Sequence, residues 1–136
     1  PPSLSVEVLN RGSIILKHNR IINAKQSGVF ILQRGRAEIV DNVVEGSAFS
    51  GITISEHAFA EIHDNHLIQN GVQLNSMPIA DLPEAHRHKI VNSVGFAGIW
   101  LFSCGGGTLS GNRFSGNGFR EGIEVDESST DFVELK

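Results

Sequence analysis

The chain has 136 residues, with 11 Lys+Arg against 15 Asp+Glu and a formal net charge of -4. That balance lacks the basic footprint of a protein that grips nucleic-acid phosphates. No apolar run is long enough for a membrane-spanning helix, so neither nucleic acid nor membrane is expected as a partner. Glycine is abundant, at 15 residues, well above the ordinary share of about 7%; it favours frequent turns over a helical bundle. The single cysteine, Cys104, excludes an intrachain disulfide. With no signal-like segment and no N-x-[ST] sequon, an intracellular setting, cytoplasmic or nuclear, is expected.

In chain order, the first unit is a short strand, Ser5-Val6-Glu7-Val8, then a turn, a second strand through Leu16, and Asn19 followed by Ile21. The same order returns from Gly28-Val29-Phe30-Ile31 to Asn42, from Gly51-Ile52-Thr53-Ile54 to Asn65, and from Gly98-Ile99-Trp100-Leu101 to Asn112. Asn19, Asn42 and Asn65 are 23 residues apart, and Asn112 lies 47 further on, which reads as about two rungs. Leu16, Ile39, Ile62 and Leu109 share one column; Ile21, Val44, Leu67 and Phe114 share another. Two half-copies follow the same pattern, Gly71-Val72-Gln73-Leu74 and Gly122-Ile123-Glu124-Val125. The exception is 75–89, where Pro78 and Pro83 forbid a central strand; an inserted loop is expected there.

Apolar residues two apart mark strands with one buried face, and helix-period stripes are missing. A recurring unit of this length, made of two or three short strands, is one coil of a parallel solenoid. Coils stack about 4.8 Å apart, so each column becomes a ladder. The expectation is an all-β parallel solenoid of about five to six coils, forming a single domain over 1–136. The start at Pro1-Pro2 and the strand-like final segment predict a piece of a longer chain.

The pattern G-[VI]-x-[IVL] … [IL]-x-x-N-x-[IVLF] resembles the right-handed parallel β-helix repeats of the pectin-lyase-like fold. More narrowly, it is similar to the short repeats of carbohydrate-binding proteins and sugar hydrolases. Similar repeats occur in β-helix F-box proteins and SHC-binding proteins. The resemblance covers about Ser5 to Val125. It implies a right-handed β-helix, and it admits lyases, hydrolases and pure binding modules alike.

Asn19, Asn42, Asn65 and Asn112 are read as a structural ladder, each side chain satisfying backbone groups of its own and neighbouring coils. Asp41 and Asp64, with Glu38, Glu61 and Arg36 nearby, are the candidates for acid–base or Ca²⁺ chemistry. Asp41 and Asp64 share their column with His18 and Gly111, which favours a left-handed turn instead. His63 and His66 span a turn that offers them a point of convergence, but the ligands of a zinc site are not assembled. Cys104, in a turn column with Arg11, Arg34 and His57, has no legible partner, and Gly105-Gly106-Gly107 is read as a tight turn. No metal, cofactor or catalytic residue is assigned.

The remaining signal is on the outside. Residues two and four after the leading glycine point away from the core, which places Phe30, Leu32, Trp100 and Phe102 outward on one sheet. An outward aromatic patch marks a partner surface; cover by the 75–89 loop is the equal alternative. Within that loop, His86, Arg87 and His88 are further candidates for partner contact. The resulting expectation is a non-catalytic recognition module for a protein partner. By the F-box resemblance it would hold a substrate for ubiquitin transfer. A domain that binds or cleaves polysaccharide is the alternative.

Overall fold

A computed structural model describes residues 6–72, 97–102, 105–118, 120–125 and 132–134. The first coil carries β1 (Val6–Val8), β2 (Ser13–Lys17) and β3 (Arg20–Ile22). The second carries β4 (Val29–Ile31), β5 (Arg36–Val40) and β6 (Val43–Glu45), and the third β7 (Ile52–Ile54), β8 (Phe59–His63) and β9 (His66–Ile68). The fourth carries β10 (Ala97–Leu101), β11 (Gly106–Ser110) and β12 (Arg113–Ser115). A fifth is begun by β13 (Arg120–Val125) and β14 (Phe132–Glu134).

Like strands stack into three parallel sheets, ordered β1-β4-β7-β10-β13, β2-β5-β8-β11-β14 and β3-β6-β9-β12. Register follows the 23-residue spacing, so Val29 pairs with Ile52 and Ile39 with Ile62. The sequence columns are thus physical ladders. The solenoid core is Val29, Ile31, Ile39, Val44, Ile52, Ile54, Ile62, Leu67, Ile99 and Leu101, all fully buried, with Val8, Leu16, Ile21 and Leu109 nearly so. Each such side chain contributes about 1.5–3 kcal/mol of burial free energy.

One expectation is corrected by the strand order. The step from Asn65 to Asn112 is one rung, not two. β10 pairs directly with β7, and Asn65 N–H donates to Asn112 Oδ1 at 3.0 Å. The half-copy at Gly71 therefore adds no rung between the third and fourth coils. The rest of it, the 75–89 segment, and His86, Arg87 and His88 lie outside the described residues, as does Cys104.

Left-handed backbone turns the corners. Between the second and third sheets, His18, Asp41, Asp64 and Gly111 have φ of 59, 56, 59 and 65°, as their shared column implied. Past the third sheet, Asn23, Gly46, Gln69 and Gly116 do the same, with φ of 58, 70, 50 and 67°. The corner leaving the first sheet uses two such residues per coil: Asn10-Arg11, Gln33-Arg34 and Glu56-His57.

The leading glycines have a different reason. A Cβ on Gly98 would stand 2.5 Å from Phe114 Cδ1, and one on Gly28 2.5 Å from Val44 Cγ1. The coil closes so tightly there that the first sheet's entry touches the third sheet's inward side chain. The Gly105-Gly106-Gly107 run is not a tight turn as expected: Gly106 and Gly107 are strand residues paired with Phe59 and Ala60. A Cβ on Gly105 would meet His57 O at 2.5 Å.

Candidate recognition surface

The asparagine ladder is built as the sequence implied. Asn42 N–H and Asn65 N–H each donate to the Oδ1 of the next asparagine, at 2.9 and 3.0 Å. The side-chain amides of Asn42, Asn65 and Asn112 donate to Leu16 O, Ile39 O and Ile62 O at 2.8 to 2.9 Å. Asn19, in the first coil, is exposed but keeps the link to Asn42 Oδ1. These residues are structural.

A second ladder was missed by sequence reasoning. Asn70 N–H donates to Asn117 Oδ1 at 2.9 Å, and Ser47 N–H to Asn70 Oδ1 at 3.1 Å. Asn70 and Asn117 amides donate to Val44 O and Leu67 O. The signal was present: Asn70 and Asn117 are 47 apart, like Asn65 and Asn112. Ala24 and Ser47 in the other two copies hid it.

The polar groups weighed for chemistry are held in separate tasks. Asp41 Oδ2 contacts His18 Nδ1 at 2.7 Å across two corner residues, and Lys17 Nζ lies 3.3 Å from Glu38 Oε1. His63 and His66 do not converge. His63 lies on the second sheet against Ser110 and Thr108, while His66 lies on the third, 3.0 Å from Ser115 Oγ. A turn that changes sheet aims the two rings at different faces. Among the described residues, no group of three His, Cys, Asp or Glu is placed to hold a metal ion.

The outer face of the first sheet brings the aromatic candidates into one register. Phe30 pairs with Thr53, and Thr53 with Trp100, so Phe30 and Trp100 flank Thr53 two strand spacings apart, about 9.6 Å. Leu32 and Phe102 continue the ladder one step into the turn, donating to Val8 O and Ile54 O. Phe30, Leu32, Trp100 and Phe102 are all half-buried, and the rings of Trp100 and Phe102 stack with centroids 4.2 Å apart at 24°. Thr53 and Ser55, also on this side, are buried, so the accessible part of this face is confined to the half-buried Phe30, Leu32, Trp100 and Phe102. Thr53 Oγ1 is 2.6 Å from Ser27 Oγ.

Beside this face runs the double left-handed corner. Arg11, Arg34 and His57 stack there in register, with Arg11 N–H on Gln33 O and Arg34 N–H on Glu56 O, both at 2.9 Å. With Arg36 and Phe59 they line an open groove of about 270 Å³. The sequence placed Arg11, Arg34 and His57 in one column, but gave that column no role.

With three parallel sheets and two asparagine ladders, the molecule is a parallel β-solenoid. Residues 4–135 match the family model described as a right-handed beta helix region. The chain belongs to the right-handed β-helix family. The right hand is the sense in which twisted parallel strands are nearly always connected. No curated protein and no solved structure matches the chain.

Proposed function

We propose that this β-helix is a recognition module that binds a protein partner through the outer face of its first sheet. The observation that carries the reading is the stacked Trp100–Phe102 pair, set in register with Phe30 and Leu32 on a rigid frame. Rigid aromatic side chains lose little rotamer freedom on binding and carry large apolar area, so they make strong anchors. Of the carboxylates that a sugar-cleaving reading would need, Asp41 contacts His18 and Glu38 contacts Lys17, and Asp41 and Asp64 stand at left-handed corners. The resemblance to β-helix F-box proteins suits a domain that holds a protein substrate for modification by another domain.

The test compares the wild-type domain with a Trp100→Ala, Phe30→Ala variant, both checked by circular dichroism. Proteins retained from extract are purified, and their affinities for both forms are measured by calorimetry. A partner whose affinity falls at least about tenfold in the folded variant supports the reading, since one lost aromatic anchor costs roughly 1.4 kcal/mol or more. An unchanged affinity rejects the aromatic face. Binding on a glycan array instead, with or without Ca²⁺, favours the polysaccharide alternative.

A further inference from the structure

The corner groove beside the first sheet is charged against the trend of the molecule. The chain is net negative, at -4, yet Arg11, Arg34, Arg36 and His57 line one groove of about 270 Å³. Glu56 lines an adjoining depression together with Arg11, Arg34 and His57. Among the described residues, the ion pairs are Lys17–Glu38, His18–Asp41 and Arg20–Glu45; none uses a groove arginine. Stacking cations on successive rungs is repulsive. Arg11, Arg34 and His57 also hold φ of 63, 60 and 61°, where glycine or asparagine fits with less strain. Gln33, Glu56 and Gln69 hold similar φ of 50, 54 and 50°, so these corners accept long side chains generally, and it is the repeated positive charge that marks this column.

We propose that this groove is an oxyanion site, and that it takes carboxylate or phosphate groups carried by an acidic peptide segment of the partner. Adjacent guanidinium groups suit such groups because each offers paired N–H donors to two oxygens. A sugar ring is disfavoured because Phe59, the one Phe, Tyr or Trp of the groove among the described residues, is covered by Arg36, whose Cζ lies 5.4 Å from the ring centroid. A long polyanion is disfavoured by the carboxylates of Glu38 and Glu61, two residues along the second sheet from Arg36 and Phe59. The peptide source of the anion rests on the protein-recognition reading; the anion chemistry of the groove does not.

The test is fluorescence anisotropy with three labelled decapeptides of alternating Gly: a Glu peptide, a phosphoserine peptide and a neutral Gln control. The Glu peptide, the phosphoserine peptide or both should bind at least about tenfold tighter than the control, and more weakly as salt rises. Whichever binds identifies carboxylate or phosphate as the group read. An Arg11→Asn, Arg34→Asn variant should lose that preference; asparagine keeps the left-handed corner accessible. Arg36→Met, which keeps a cover over Phe59, supplies an independent variant should the first unfold, and should weaken binding at least threefold. These peptides carry no apolar side chain for the aromatic face, so they report on the groove alone, and failure of the aromatic reading is distinguishable from failure of this one. No preference over the Gln peptide, a preference that survives the folded groove variants, or binding of a sulfated oligosaccharide in place of both acidic peptides overturns the proposal.

Discussion

Asn65 Oδ1 accepts two hydrogen bonds from the residue one coil below, Asn42 N–H at 2.9 Å and Asn42 Nδ2 at 3.0 Å. One side-chain oxygen thus satisfies two donors of its fully buried neighbour, while Asn65 Nδ2 reaches Ile39 O at 2.9 Å. Removing that side chain takes the acceptor from the buried Asn42 N–H and a donor from Ile39 O, while Asn42 Nδ2 keeps Leu16 O and Val40 O. Asn65→Ala is therefore expected to destabilise the domain by about 2–4 kcal/mol. Asn19→Ala, at the exposed first position of the same ladder, should cost less than about 1 kcal/mol. Urea denaturation of both variants checks this, and equal losses would show that the ladder does not act through buried polar groups.

The second ladder is unfinished. Ser47 stands where Asn70 and Asn117 stand in later coils, and its Oγ is buried without a hydrogen-bond partner. Gly28 lies opposite it, as Gly51 lies opposite Asn70, so the needed space is already there. Ser47→Asn should extend the ladder toward Ile21 O and raise stability by about 1 kcal/mol. A thermal melt that falls instead of rising would mean that the first coil cannot accept the larger side chain.

The leading glycines should fail by steric contact rather than by backbone conformation. Gly98→Ala is expected to cost about 1–3 kcal/mol by forcing its methyl against Phe114. Phe114→Leu should recover part of that loss in the double variant, giving a coupling of about 1 kcal/mol in a double-mutant cycle. Strict additivity would place the cost elsewhere.

The outward and inward columns of the second sheet can be compared directly. Ile15 is 68% exposed on β2, while Ile39 on β5 is fully buried. Ile15→Thr should change stability by less than about 0.5 kcal/mol. Ile39→Thr should cost roughly 2–4 kcal/mol, because it leaves a gap and a hydroxyl in the core. Similar losses at the two sites in denaturant titrations would contradict the facing of the second sheet.

A column in the sequence becomes a ladder in space because a parallel solenoid repeats the same contact every 23 residues. That periodicity by itself determined the coil, the inward apolar set from Val8 to Leu109, the first asparagine ladder and the left-handed column of Asp41 and Asp64. It also placed Phe30, Leu32, Trp100 and Phe102 on one outer face. Only the tertiary structure decided which rungs touch. The fourth coil stacks on the third despite the 47-residue step, because hydrogen-bonded strand edges, not chain length, select neighbours. Tertiary contact also decided the tasks of single residues. His63 and His66 part because the corner between them changes sheet. Gly28 and Gly98 are needed because a third-sheet side chain closes on them. Arg11, Arg34, Arg36 and His57 meet because a corner column and a strand column border the same groove, a proximity that spacing along one chain does not encode.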